Sequence, residues 1–402
     1  METFGISRRR VGAIVASSLL ALPVVLHDTS ARAAALSQAQ AVSWGINDHG
    51  QLGDSTLADR RTAGVVIGLE GVKALAANGD HSLALLDNGT VRAWGENGTG
   101  QLGDGSSDDR LSPVAVAGVE GAVAVAAGEY HGLILLASGK VLAFGNNSYG
   151  QLGIGDTGGE PRLRPVEIPG LSNVKAIAAG QSHSLALLEN GKVMAWGWNE
   201  VGQLGIGVTG GDHFRPEEVV GLSGVKAISS YLHHTLALLG NDDRTVKAWG
   251  SNTNGELGNG VFGDFSNRPV DVLGLSGVQA LGAGNSFSCA LRGNGKVKCW
   301  GTNGFGNLGL GFAGGPGASR NRPTDDVLDL SGVRTIAVGD QYVLALLDSD
   351  DDIVKGWGTN LNGQLGDGTY GNLINTTPVI AQTTLSHVDH LAAGRRHSLA
   401  AG

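Results

Sequence analysis

A seven-bladed, all-β propeller is the fold this sequence predicts, and three observations carry the prediction. An aromatic-glycine dipeptide recurs at Trp44-Gly45, Trp94-Gly95, Phe144-Gly145, Trp196-Gly197, Trp249-Gly250, Trp300-Gly301 and Trp357-Gly358, with spacings of 50, 50, 52, 53, 51 and 57 residues. Glycine outnumbers proline by 67 to 10 in a chain that is 41% hydrophobic, which suits turn-rich β structure with a core rather than disorder. No segment sustains a helical period, and a repeat of about 50 residues has room for four short strands with their loops.

The chain opens on a different composition. Residues 1–33 carry a basic stretch, Ser7-Arg8-Arg9-Arg10-Val11, then an apolar run from Val11 to Leu26 and small residues at Ala31 and Ala33. That order predicts a secretory signal peptide cleaved between Ala33 and Ala34, and the arginines resemble the twin-arginine export signal. The run is short for a membrane span, and no later run approaches one. Residues 34–41 read as a short linker and 42–402 as the propeller. Cleavage removes four arginines and two acidic residues, so the net charge moves from −9 to −11. Such a surface repels phosphate backbones and excludes nucleic acid as the expected partner.

Each repeat then unfolds in the same order. After the aromatic-glycine pair comes Gly-x-Leu-Gly, as in Gly50-Gln51-Leu52-Gly53, with Glu256 and Asn307 replacing the glutamine in two copies. A variable polar loop follows, and then an apolar segment ending in Ala-Ala-Gly or its equivalent. A hairpin such as His81 to Gly95 closes the unit, its strands apolar on both faces, as expected of sheets sandwiched between sheets. Its turns, Asp87-Asn88-Gly89 and Glu189-Asn190-Gly191 among them, tolerate the positive φ of a tight hairpin. The first unit, from Ala41, is only the end of a hairpin, and the last, from Leu391, only the beginning. Paired with each other, the two termini complete one blade and close the ring.

From about Val42 to the end these residues resemble the regulator-of-chromosome-condensation repeat family, whose blades carry A-G-x-x-H-S-x-A-L, a glycine turn, W-G-x-N and G-Q-L-G. The resemblance implies a seven-bladed propeller. The family's namesake is a nuclear exchange factor for a small GTPase, a setting that an export signal and an acidic chain do not match. The phrasing from Lys175 to Gly197 is also similar to that of secreted bacterial propellers that inhibit class A β-lactamases, although those have shorter repeats without the Gln-Leu-Gly extension. In the inhibitors the loops entering the hairpins form an aromatic-rich binding face.

The corresponding positions here are Gly79-Asp80, Glu129-Tyr130, Gln181-Ser182, Leu232-His233, Asn285-Ser286, Asp340-Gln341 and Arg395-Arg396. Only Tyr130 is aromatic, and interfaces draw much of their energy from Trp, Tyr and Arg anchors, so the ring predicts a polar contact face rather than a tight inhibitor surface. Its side chains vary where the scaffold does not, which makes it the expected partner-binding face.

Other chemistry reads as scaffold. His81, His131, His183, His234 and His397 occupy one repeat position that holds Phe287 and Tyr342 elsewhere, as a packing site with an optional hydrogen bond allows. Cys289 and Cys299 flank a turn centred on Asn294, so they face each other across a hairpin and predict a disulfide rather than a zinc or redox site. Asp348 to Asp352 reads as a solvated acidic turn. The glycine-rich stretches after Leu152 and Leu204 lack the lysine and helix of a phosphate loop. The longest loop, Gly309 to Pro323, is the expected place for a blade-specific feature.

No catalytic constellation stands apart from the repeat. The expectation is a monomeric, non-enzymatic interaction module, secreted or on the exterior of the cell envelope, with an unidentified protein partner and no cofactor or metal. The alternatives are a secreted inhibitor of an enzyme such as a class A β-lactamase and an enzyme acting on extracellular polymers.

Overall fold

Apolar strands with both faces buried must be covered on both sides, and the chain meets that demand by stacking sheets radially. The structure, a computed structural model, describes residues 15–16, 18–19 and 40–402, apart from 158, 316, 350, 351, 372, 373 and 384. The predicted cleavage site at Ala33 and Ala34 lies outside these residues. Within the predicted signal segment only Val15–Ala16 and Ser18–Leu19 are described, and they pair with each other.

Seven larger sheets follow among the described residues, each an antiparallel meander. Blade 1 runs Val72–Asn78, His81–Leu86, Val91–Gly95 and Arg110–Ala115 from the axis outward. Blades 2, 3 and 4 repeat the order from Ala122–Ala127, Val174–Ala179 and Val225–Tyr231, and blade 6 from Val333–Val338. Blade 7 is the predicted composite. His390–Ala393 and His397–Ala401 come from the C-terminus, Gln40–Gly45 and Arg60–Glu70 from the N-terminus, with Ser398 opposite Trp44. The closing strand is held by the same ladder as any other, so the ring has no open edge between first and last blades.

The inner three strands of each blade are almost wholly buried, whereas the fourth is half exposed, as in Arg110–Ala115 and Arg162–Glu167. That fourth strand carries Pro113, Pro165, Pro216, Pro269 or Pro378 in five blades. An edge strand needs only half its N–H groups, and a proline there blocks further pairing.

Blade 5 has three regular strands, Val278–Ala283, Phe287–Arg292 and Val297–Gly301. In blade 2, Gly145 and Leu142 pair with Arg162 and Glu167; in blade 5, Gly301 and Lys298 bridge to Arg320 and Asp326, one residue further apart. The extra residue around Thr324-Asp325 breaks the ladder, at the end of the long loop singled out in the sequence. Across this blade's hairpin Cys289 lies directly opposite Cys299, with Cα atoms 4.1 Å apart, and the two are disulfide-bonded. Arg292 donates to the Lys296 carbonyl, so the alternate cysteine pair is a close, non-hydrogen-bonded one.

One expectation is corrected here. Asp352, read as part of a solvated acidic turn, is buried. Its carboxylate accepts from Arg334 at 3.0 Å and from the Val388 amide at 3.3 Å, and it also pairs with His387. The residue anchors the passage from blade 6 to blade 7, where an uncompensated buried carboxylate would be costly.

Adjacent blades are joined by the repeat motif itself. The Trp196 indole N–H and the Ser184 hydroxyl, both of blade 3, donate to the Gln151 carbonyl of blade 2, at 2.9 and 2.8 Å. The same carbonyl position receives Trp94, Trp249, Trp300, Trp357 and Trp44. Gly153, two residues beyond Gln151, has no room for a side chain, because a Cβ there would lie 2.7 Å from the Trp196 ring. The Gly-Gln-Leu-Gly signature is therefore a socket for the next blade's tryptophan.

Candidate functional site

The repeat-wide polar side chains are buried, and most are bonded inside the scaffold. Asn47, Asn97, Asn147, Asn199, Asn252, Asn303 and Asn360 each accept from the amide of the leucine five residues on, and so fold the outer loop. His131 Nε2 lies 2.8 Å from Ser184 Oγ, and the pattern recurs at His234 with Ser288 and His397 with Ser82; at His183 the equivalent position is Thr235, 3.5 Å away, and Ser230 of the inner strand lies nearer at 2.9 Å. Ser184 spends its single proton on the Gln151 carbonyl, so the imidazole must be the donor through Nε2. Burial holds His131 and His234 at about 3 and His397 at about 4, so these rings are neutral at physiological pH. Tyr342 fills the same position in blade 6, bonded to Ser398 at 2.9 Å.

A second set of side chains, different from blade to blade, lies on the loops at one end of the blades. The residue after each aromatic-glycine pair returns its amide to the loop entering the hairpin, as Glu96 does to Asp80, Asn146 to Tyr130 and Trp198 to Ser182. The two variable positions therefore share a face with the residues after Trp-Gly and with the tips before Gly-x-Leu-Gly. Main-chain bonds between neighbouring blades tie this face together: Gln181 to the Leu232 carbonyl, Asn285 to Asp340 and Arg395 to Gly79. Leu232 and Ser286 hold positive φ values of 35° and 59°, a conformation costly for a residue with a side chain.

The structure brings the predicted residues to this face but divides them by role. Asp80, Glu129 and Ser182 are buried. Tyr130, Gln181, Leu232, His233, Asn285, Asp340, Gln341 and Arg396 are half-buried, and Arg395 is exposed. The two arginines face inward across the ring closure. Arg396 meets Asp80 at 3.1 Å and Asp48 at 3.5 Å, while Arg395 sits 4.0 Å from Asp80 and 3.9 Å from Glu129. Gln51 adds a third contact to Asp80 at 3.2 Å. These charges clamp blade 7 to blades 1 and 2.

Electrostatically the face is over-supplied with acid. Burial pushes Asp340 up to about 6 against the pull of Asn285 and Arg395. Tyr130 is raised to about 12 by burial, with Glu129 and Glu96 adding to it. Glu96 is itself raised, by burial and by Asp80, Asp109 and Glu129, although His49 opposes.

Two side chains that the variable-pair reading missed stand on the same face. Trp198 follows Trp196-Gly197, where other blades have Ile46, Glu96, Asn146, Ser251, Thr302 and Thr359. Tyr149 lies at a loop tip and is 43% exposed. The Trp198 ring centroid lies 6.2 Å from that of Tyr149 and 4.8 Å from that of His233, the second contact edge-to-face. Blades 2, 3 and 4 thus each contribute one ring. Aligning the residue that follows each aromatic-glycine pair is the signal that finds Trp198.

Comparison with known proteins agrees with this geometry. Residues 29–237 match the family model described as the RCC1-like domain, and 245–291 and 278–307 match the regulator of chromosome condensation (RCC1) repeat. The chain is 34% identical over 195 residues to the probable E3 ubiquitin-protein ligase HERC6 of Homo sapiens, covering 48% of this chain and 19% of that one. It is 30% identical over 231 residues to the ultraviolet-B receptor UVR8 of Arabidopsis thaliana, covering 56% of this chain and 50% of the receptor. The chain thus spans at most half the length of these two relatives. Among solved structures, Prp20p of Saccharomyces cerevisiae superposes with a TM-score of 0.80 at 24% identity, over 91% of this chain and 92% of that one. Human WBSCR16 superposes with a TM-score of 0.78 at 23% identity, over 91% and 99%. At these identities the structural likeness speaks to the fold alone.

Proposed function

The chain belongs to the RCC1-like domain family, and from that premise we propose that it is an exported, non-enzymatic propeller that binds a protein partner through the loop face carrying Gln181, His233 and Gln341. One observation carries the reading: the polar side chains that recur across the repeats are mostly buried in seams and loops, whereas the loops entering the hairpins carry partly exposed side chains that differ from blade to blade and share one face. Prp20p, of the same fold, is described for its binding to Gsp1p and histones, which supports a protein partner as the kind of ligand. Arg395 and Arg396 belong to the clamp across the ring closure, so the contact surface centres on blades 2 to 6. Export is supported by the order of basic, apolar and small residues in 1–33 and is compatible with the Cys289–Cys299 disulfide.

The test places a photocrosslinking amino acid at Gln181 or Gln341 on the loop face and at Asn88 or Asn190 on the opposite hairpin turns, in cells that make the protein. Adducts from the first pair and none from the second are expected; the reverse pattern removes the face. Fusion of residues 1–41 to a reporter active only outside the cytoplasm tests export, with a mature N-terminus at Ala34 expected by mass. A panel of class A β-lactamases mixed with the mature protein at micromolar concentration is expected to keep full activity.

A further inference from the structure

Of the seven tryptophans, six serve the sockets between blades and are fully buried. Trp198 is off the repeat, partly exposed, and packed between Tyr149 and His233 on the loop face. The rings come from three consecutive blades and meet on the loop face, outside the socket between blades 2 and 3 that Trp196 fills. Trp and Tyr are among the side chains that most often anchor interfaces.

The surroundings decide what they anchor. Asp212 lies directly opposite Trp198 on the neighbouring strand, so both side chains emerge on one side of the sheet. Glu200, two residues beyond Trp198, is exposed. Burial raises the Asp212 carboxyl and Glu200 raises it further, with His213 opposing. His213 is held by Glu217 at 2.6 Å. Burial keeps His233 below its ordinary range, so its ring is neutral and adds no cation. Aromatic faces bordered by carboxylates attract a cation, and a planar guanidinium can stack on a ring and fork to a carboxylate at once.

We propose that Tyr149, Trp198 and His233 form a platform for an arginine side chain in a basic segment of the protein partner, with Glu200 and Asp212 supplying the counter-charge. The proposal rests on the loop-face reading and adds to it the chemistry of the partner.

Trp198 is its own reporter, since the other six indoles are buried. Titration of the folded protein with triarginine is expected to change Trp198 emission saturably, while tricitrulline, of the same shape without charge, leaves it unchanged. Glu200→Gln with Asp212→Asn, and separately Tyr149→Ala, is expected to weaken the titration roughly five-fold. Trp198→Phe, with an unaltered circular dichroism spectrum, is expected to abolish the response. Equal titration by tricitrulline, an unchanged curve in the carboxylate double variant, or a response surviving in Trp198→Phe overturns the platform. Adducts at Gln181 that triarginine does not compete away also overturn it and leave the loop-face reading standing. A charge-dependent titration without any crosslinked partner supports the platform and removes the broader reading.

Discussion

The seam between blades 2 and 3 and the seam between blades 1 and 2 are built on one backbone plan with opposite chemistry. In the first, His131 donates to Ser184, Ser184 and Trp196 donate to the Gln151 carbonyl, and every member is buried. In the second the positions are His81, Gly132 and Phe144, which leave no hydroxyl and no indole N–H to give to Gln101. Neither ring nitrogen of His81 has a partner among the described residues. The two replacements in blade 2 belong together: a Cβ on Gly132 would lie 2.3 Å from the Phe144 ring, so the phenyl occupies the space a serine would need. The comparison teaches that the propeller's seams are specified by volume first, with the hydrogen bonds as an addition that must come as a set. Blade 6 agrees in part, since Phe287 faces a seam where Val343 replaces the serine but Trp357 keeps its bond to Asn307.

The largest expected effect is on acid stability, which both seams share. Burial holds His81, His131 and His234 at about 3, His397 at about 4 and His183 well below the ordinary 6.5. Below pH 6.5 the unfolded chain takes up protons that the folded chain refuses, so stability is lost as pH falls from 6.5 to about 4. Each histidine contributes up to about 1.4 kcal/mol per pH unit. Asp340, raised to about 6, acts in the opposite direction, as do Glu96, Asp212 and His49, all raised, while His233 and His390, both lowered, add to the loss. Tm measured from pH 7 to 4 should fall steeply, and a flat profile would contradict neutral buried histidines.

Next in size is Gly132→Ser, which forces a side chain into the Phe144 ring and should cost about 1–3 kcal/mol by denaturant unfolding. Combining it with Phe144→Trp installs the hydrogen-bonding set of the other blades. The double variant should recover most of the loss, and a purely additive result would show that the two positions are not coupled. Ser184→Gly removes the hydroxyl from the hydrogen-bonded seam without the phenyl to fill its space, for an expected loss of about 1–3 kcal/mol from unpaired buried groups.

The smallest and most discriminating pair is His131→Phe against His81→Phe. The first breaks a buried bond and should cost about 1 kcal/mol at pH 7, whereas the second breaks none and should change stability by less than about 0.5 kcal/mol. At pH 5 His81→Phe should exceed the parent in stability, because one acid-sensitive ring is gone; equal losses for both variants at pH 7 would erase the distinction between the seams.

Much of this fold was legible because its strands announce themselves locally. Alternate residues of His183–Leu188 are apolar on both faces, the Asn-Gly turns match hairpin geometry, and the half-hairpins at Ala41 and Leu391 predict the composite blade. Less could be read of the loop face. The variable pairs were found by their place in the repeat, but nothing in Asp80 or Glu129 says that they are buried beneath Arg395 and Arg396, which arrive from the far end of the chain. Asp352 was misread for the same reason: its partners Arg334 and His387 come from either side of it in sequence. The ring contacts of Trp198 reach 49 residues back to Tyr149 and 35 forward to His233.

By itself the amino-acid sequence determined the repeat, the blade count, the order of strands and the permuted closure, because each follows from short-range periodicity and turn chemistry acting within about ten residues. Only the tertiary structure decided which polar side chains are spent and which are free. A charge or a ring becomes available to a partner according to what the neighbouring blade places against it, and the stacking of blades brings together residues about 50 or, at the closure, more than 300 positions apart.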